Sequence, residues 1–420
     1  MRLLRFIYQK LSRFSLIRNM GKKIYFHGFI WDNAKAYFRM KKQYMNRKKS
    51  DTIRVVFMIQ NKISWDIIKT VYEKMMLDKT FDLSILTVKD FNETYNSSYS
   101  YFKKMYPSSR IIQAEEGQEL FDLKSIHPDY VFIARPYDFY LPEQYKSSSV
   151  SAYARVCYCS YGFGPMVMSL LGDCYSGRFF RNVAIFFAES DFLKHYNIQR
   201  FRIAHKQGVK KTVNCGYPSL DHFSHIKNIQ TDSFNILWTP RWNDDKEMGG
   251  SSFFDYKDKI VSFIKDNKDL YLTFRPHPLL FDNFISKNKI TGEEADKYLN
   301  SITISKLMCY DNSSDYTESF ANSDVLVTDP SSILVQYFMT EKPIIYCDTG
   351  VELDDIFTAI VDANYIAKDF EEVKKYIQLL KEGHDPKKEA RKNLKRQLFC
   401  HDGRTSADRF IEVIKDDYIH

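Results

Sequence analysis

Apolar residues in this chain gather in short runs, with helix-length amphipathic stretches between them. Runs at 53–60, 81–88, 130–134, 155–159 and 211–215, and another inside 179–190, lack the in–out alternation of a sheet with one wet face. They read as strands of a parallel sheet buried on both faces. Trp65, Ile68, Val71, Tyr72 and Met75 recur at helical spacing and predict a helix over 64–77. Further helices are expected over 115–124 and 192–198, and a tyrosine-rich loop with a short helix over 89–110. Residues 222–233 offer no core positions and read as a linker. A second series follows: strands at 234–239, 270–274 and 302–304, a helix over 255–267, a polar insertion near 282–300, and a strand–turn–helix–strand unit over 323–349. Repeated β–α–β alternation predicts parallel sheets with right-handed crossovers, and 420 residues exceed one ordinary core. The expected fold class is α/β: two doubly wound Rossmann-like domains, 51–221 and 234–400, facing a cleft. An extension, 1–50, precedes them, and 401–420 carries a C-terminal helix from about 405 to 414.

The candidate chemistry lies at strand ends, where ligands of open α/β sheets sit. In 323–349 the apolar run Val325, Leu326, Val327 stops at Asp329-Pro330, since proline removes a donor and turns its predecessor away from helix. Ser331 and Ser332 then open a helix with Ile333, Leu334, Tyr337 and Phe338 on its buried side. Those serines either cap the helix or present hydroxyls and N–H groups to an anion. ILWTPRWNDD (236–245) runs from a strand into Arg241 and Trp242. YLTFRPHPLL (271–280) ends in Arg275 and in His277 between two prolines. Asp329 reads as structural support for its turn. Asp244 and Asp245 are adjacent, so their carboxylates face apart, and no histidine accompanies them as a metal partner. CHDGRTSADR (400–409) reads as helix capping, with Arg404 and Ser406 within possible reach of a ligand.

These segments, with GYPSLD (216–221), resemble the CDP-glycerol glycerophosphotransferase family of teichoic-acid primases and polymerases. The order matches: a G-Y-P-x-x-D turn, a strand then T-P-x-W/R, a strand then R-x-H-P, S/A-D-x-L-x-T-D-x-S-S, and a D-G-x-x-S-x-R helix, over about residues 150–415. The resemblance implies the two-domain GT-B architecture, a CDP-polyol donor such as CDP-glycerol or CDP-ribitol, a lipid-linked or polymer acceptor of the cell envelope, and release of CMP. It implies no cofactor and no metal. His277 is the expected donor or acid to the pyrophosphate. Arg241, Arg275, Ser331, Ser332, Asp329 and Arg404 form the expected donor-binding group, Asp329 as support of its turn. One departure stands out. Where the family carries a W-H-G histidine as the proposed base, this chain reads YCSYGFGP (158–165), with Tyr161 in its place. A phenol of ordinary pKa, about 10, is a poor base at neutral pH. Tyr161 is therefore perturbed, or Asp138 or Glu189 serves, or the substrate differs. The alternatives to polyol-phosphate transfer are a glycosyltransferase using a nucleotide sugar and a donor-binding scaffold without turnover.

Charge changes the picture at one end only. Residues 1–50 hold fourteen Lys/Arg and one acid, a net +13 against +8 for the whole chain, so the remainder is slightly acidic. In 1–18, Leu3, Leu4, Ile7, Leu11, Phe14 and Ile17 recur at helical spacing between basic residues. That pattern predicts an amphipathic helix on an anionic membrane surface, against a solvated arm or a helix packed on the body. No apolar run approaches the ~20 residues of a membrane span, and no cleavable signal pattern is present. The protein is expected in the cytoplasm, peripheral on the inner face of the cell membrane, with no nucleic-acid partner. Seven scattered cysteines without metal or CxxC spacing read as reduced thiols.

Overall fold

The computed structural model describes residues 15–89, 97–117, 119–160, 162–164, 177–223, 226, 229, 231–313, 315–399 and 403–420. In chain order the strands are β1 (Ile53–Ile59), β2 (Phe81–Thr87), β3 (Arg110–Gln113), β4 (Glu115–Glu116), β5 (Glu119–Leu120), β6 (Tyr130–Ile133), β7 (Arg155–Cys159), β8 (Ile185–Ala188), β9 (Lys211–Asn214), β10 (Phe234–Thr239), β11 (Leu270–Phe274), β12 (Met308–Tyr310), β13 (Val325–Thr328), β14 (Ile344–Cys347) and β15 (Tyr365–Ala367). Two sheets hold all but the β4–β5 hairpin. Their orders are β3-β2-β1-β6-β7-β8-β9 and β12-β11-β10-β13-β14-β15. Every pairing in both is parallel.

Strand periodicity explains why the runs are apolar throughout. Val56 and Met58 of β1 join one apolar cluster with Val131 and Val156, while Val55 and Phe57 join another with Tyr130 and Phe132. Both faces are covered, so both sets of alternating positions are apolar. The second cluster continues through Leu237, Leu326, Leu334 and Tyr337, so the two sheets share apolar packing through their inner faces.

The two chain ends meet on the first sheet. Helix Ser406–Ile419 lays Phe410 on Phe187, ring centroids 4.0 Å apart, and Asp417 accepts the Tyr130 hydroxyl at 2.9 Å. Helix Ser15–Asn46 buries Ala36, Met40 and Gln43 on one side. Arg39 Nη2 donates to Asn182 Oδ1 at 2.5 Å, and Arg47 Nη2 donates to the Asp417 carbonyl at 2.6 Å. The later part of the basic extension is therefore packed on the body. The predicted stripe of 1–18 lies largely outside the described residues.

Several expected elements differ. Residues 115–124 form the β4–β5 hairpin and a 3-10 turn, Leu123–Ile126, because Gly117 takes φ +66° and reverses the chain where a helix would continue. Most of the 282–300 stretch is helical, in Leu280–Ser286 and Gly292–Thr303, with a turn between them. The strand expected at 302–304 is the end of the second of these. The edge strand is Met308–Tyr310 instead. Helix 64–77 divides into Lys62–Asp66 and Lys69–Met76.

Candidate active site

In the second sheet the chain runs outward from β10 to β12, then returns to β13 on the other side of β10. The strand order reverses there, and ligands of open α/β sheets sit beside the loops that leave the strands at such a point. Asp329, at the end of β13, is fully buried and holds the β10 loop to it. Its carboxylate accepts the backbone N–H of Arg241 at 2.8 Å, the backbone N–H of Ser252 at 3.1 Å, the Ser252 hydroxyl at 2.5 Å and the Ser251 hydroxyl at 3.2 Å. Burial pushes its pKa up, and the donors aimed at it oppose that shift. Below it, Thr239 Oγ1 donates to Thr328 Oγ1 at 2.8 Å, tying β10 to β13.

The pinned loop aims Arg241. Its Nη1 donates to the Pro330 carbonyl at 2.5 Å, so one end of the guanidinium is fixed beside the Ser331-Ser332 turn. Gly249, at φ +112°, backs it: a Cβ there would lie 2.9 Å from Arg241 Nε. Gly250, at φ +69°, leaves room for Thr349, whose hydroxyl donates to the Gly249 carbonyl at 2.7 Å. Burial lowers the pKa of Arg241, but a guanidinium keeps its charge in proteins. Ser331 Oγ accepts the Ile333 N–H at 3.4 Å. Ser332 is exposed and makes no side-chain capping bond to helix Ile333–Phe338.

His277 lies next to this group, its ring centroid 5.8 Å from that of Trp242. Its Nδ1 is 3.1 Å from the backbone N of Leu279 and accepts from it. The neutral ring therefore carries its proton on Nε2. Packed protein around the exposed ring, and secondarily the Arg241 guanidinium, lower its pKa to about 4. At neutral pH His277 is a neutral Nε2–H donor beside a fixed cation.

Other candidates stand elsewhere. Arg275 directs its guanidinium into the 311–316 loop, pairing with Asp311, donating to Ser313 Oγ at 2.9 Å and to the Ser313 carbonyl at 2.7 Å. It also lies over the Tyr316 ring. These contacts make it a loop support. Arg404 is exposed and pairs with Glu412 at 2.6 Å on the C-terminal helix. Tyr161 lies outside the described residues. Asp138 accepts the Ser147 N–H at 2.7 Å and its hydroxyl at 2.6 Å, so its carboxylate caps a short helix. Glu189, buried at the end of β8, accepts the Ser160 hydroxyl and the Gly164 N–H, each at 2.9 Å. It thereby braces the two sides of position 161.

Two further sequence segments prove to be one device. Asp221 accepts the backbone N–H groups of Ser406 at 3.0 Å and Ala407 at 3.2 Å, and the Ser406 hydroxyl at 3.0 Å. Gly216, at φ +74°, leaves room for Ser406 Oγ. Asp221 thus satisfies two free N–H groups at the start of the C-terminal helix, beside that helix's own Thr405–Asp408 capping box. Ser251, Ser252, Gly249 and Thr349 escaped the sequence reading. The tandem glycine before Ser-Ser and a helix was the available signal.

Two doubly wound parallel sheets, with Arg241 and His277 just beyond strand ends of the second, define the two-domain α/β architecture called GT-B. Residues 193–416, more than half of the chain, match the family described as CDP-Glycerol:Poly(glycerophosphate) glycerophosphotransferase, and the chain belongs to that family. A curated relative, the teichoic acid poly(glycerol phosphate) polymerase of Staphylococcus epidermidis, is 25% identical over 162 residues. That alignment takes in 35% of this chain and spans 21% of the relative's length. Among solved structures, the wall teichoic acid polymerase TagF soaked with CDPG superimposes with a TM-score of 0.51 at 14% identity, covering 93% of this chain and 97% of that one. The UDP-GlcNAc 2-epimerase of Neisseria meningitidis, bound to UDP-GlcNAc, reaches 0.56 at 9% identity, covering 87% and 100%. These likenesses to solved structures establish the fold.

Proposed function

We propose that this protein transfers glycerol phosphate from CDP-glycerol to a hydroxyl of a cell-envelope polymer or lipid-linked acceptor. The observation that carries this reading is the Asp329-pinned loop, which sets the Arg241 cation beside the neutral Nε2–H of His277 in a member of this family. The acceptor oxygen attacks the phosphorus that bears glycerol. The bond from that phosphorus to the bridging oxygen breaks, and the oxygen leaves on CMP. The acceptor's proton passes to a base or to water, and the new bond is a phosphodiester. Negative charge grows on the departing CMP phosphate. Arg241 offsets it, and His277 donates through Nε2. Ser331 and Ser332 supply hydroxyl contacts to the same phosphates. The loop is held before the donor arrives, so little ordering remains to be done on binding.

We place the reaction at the inner face of the cell membrane, with the N-terminal helix as the contact. No helix among the described residues is long and apolar enough to cross a membrane. What supports peripheral contact is the outward side of helix Ser15–Asn46. Trp31, Phe38 and Met45 recur there every seven residues and are 63%, 66% and 71% exposed. Lys35 and Lys42 stand exposed between them. Apolar anchors interleaved with cations suit an anionic lipid surface.

A donor screen tests the reading. CDP-glycerol, CDP-ribitol and UDP-sugars are supplied with a glycerol-phosphate oligomer, and released CMP or UDP is measured. CMP from CDP-glycerol is expected. UDP release alone would make the protein a glycosyltransferase, and donor binding without release would make it a scaffold.

A further inference from the structure

Two separate devices hold the chain as it leaves β7. The first belongs to the same sheet: Glu189, at the end of β8, accepts the Ser160 hydroxyl and the Gly164 N–H, each at 2.9 Å. The second crosses to the other domain. Phe163 is only 3% exposed, although it stands on a loop at a sheet's ligand-binding edge, where side chains usually meet solvent. Its ring lies 5.5 Å from that of Tyr217, which follows β9. Its other ring neighbours belong to the second domain. They are Phe357 of helix Asp355–Asp362, at 6.0 Å, and Phe399 of helix Lys388–Phe399, at 5.9 Å. The interplanar angles are 82°, 64° and 64°, so all three contacts are edge-to-face, an arrangement that aromatic pairs favour.

The contact leads on towards Arg241. Phe399 lies 6.4 Å from Phe338, at the end of helix Ile333–Phe338. Ser331 and Ser332 open that helix, next to the Pro330 carbonyl that holds the Arg241 guanidinium. Packed side chains thus run from the β7 loop to the turn that carries the cation. A close-packed interior passes a displacement on instead of absorbing it. Because Phe163 is rooted in one domain and packs among rings of the other, it sets a spacing between them. Transfer between groups held on two domains depends on that spacing, since a misplacement of about 1 Å costs about a hundredfold in rate.

We propose that Phe163 is a positioning residue. It keys the loop leaving β7 into the second domain and so fixes where the end of β7 stands relative to Arg241 and His277. This rests on the transferase reading above and adds to it a residue that acts through packing.

Phe163→Ala and Phe163→Leu are compared with wild type in kcat for CMP release from CDP-glycerol with a glycerol-phosphate oligomer, in calorimetric affinity for CDP-glycerol, and in hydrogen exchange of peptides covering 162–164. The alanine variant should lose about a hundredfold in kcat and keep its affinity for CDP-glycerol. It should exchange faster across 162–164 while β13 and β14 stay protected. A loss confined to kcat separates positioning from a general loosening of the second domain, which would weaken donor binding as well. The leucine variant fills part of the same space and should show the same pattern more weakly. It decides the matter if the alanine variant does not fold. Wild-type kcat in each variant that folds would overturn the proposal. So would a kcat loss matched by an equal loss of donor affinity, or exchange across 162–164 that stays at the wild-type rate. If the wild type itself releases no CMP from CDP-glycerol, the transferase reading falls, and exchange across 162–164 alone decides whether Phe163 keys the loop.

Discussion

Asp417 and Arg155 meet as a two-point ion pair shut off from solvent. Nη2 donates to Oδ1 at 2.7 Å, and Nε lies 2.6 Å from Oδ2. Tyr130, Arg47 and, at 3.7 Å, the Lys211 ammonium also face this carboxylate. One carboxylate from the C-terminal helix thus joins the first sheet and the N-terminal helix. Such a pair is most costly when half of it is removed, because the other charge stays buried. Asp417→Ala should lower the unfolding free energy by about 3–5 kcal/mol in urea titration. An unchanged midpoint would mean that the pair does not hold the chain ends together.

Gly249→Ala tests the aiming of Arg241. A methyl group there meets the guanidinium and must take φ +112°, which side-chain-bearing residues rarely adopt. The expected result is a folded protein with CDP-glycerol affinity reduced about tenfold or more. Asp329→Asn should do the same, because its amide nitrogen must replace either Oδ2, which accepts two N–H groups and the Ser251 hydroxyl, or Oδ1, which accepts the Ser252 hydroxyl. Calorimetric affinities equal to wild type would show that the loop's conformation is irrelevant to the donor.

His277 makes a pH prediction. Its pKa in the folded chain is lowered from 6.5 to about 4. The unfolded chain therefore takes up this proton first, and the ring's contribution lowers stability as pH falls from about 6.5 towards 4. His205 shifts the same way. NMR titration should find the His277 ring neutral at pH 6, with Nε2 protonated. Saturating CDP-glycerol should move its midpoint upward, because nearby phosphate favours the charged ring. A midpoint near 6.5, unmoved by donor, would place His277 away from the phosphates.

What the sequence disclosed follows from physics. Strands of a doubly covered sheet are apolar on both faces, with only a few polar positions such as Arg155, Asn235 and Thr273, so β7, β10 and β11 were legible to the residue. Helix Gly292–Thr303 was not, because only Ala295, Tyr298 and Ile302 are buried among polar neighbours. Its clearest mark is the Thr291–Glu294 capping box. At the site, Arg241 and His277 could be read from strand ends. That Arg275 turns inward to Asp311, or that Asp138 is taken up by Ser147, depends on partners brought near only by the fold.

The outward side of the N-terminal helix makes a prediction about lipid. Replacing Trp31, Phe38 and Met45 with serine should reduce co-sedimentation with anionic vesicles, and binding by the wild type should fall as salt rises. Transfer to a soluble acceptor should be unaffected. Equal vesicle binding by wild type and variant would exclude this face as the contact.

The most direct test of the central claim is phosphorus NMR of CDP-glycerol incubated with the protein and a glycerol-phosphate oligomer. The pyrophosphate signals should decay as CMP and a phosphodiester appear in equal amounts. His277→Ala should slow that decay by about 10²–10³ while remaining folded. Pyrophosphate signals that persist with the wild-type protein, or decay as fast with His277→Ala, would contradict the account.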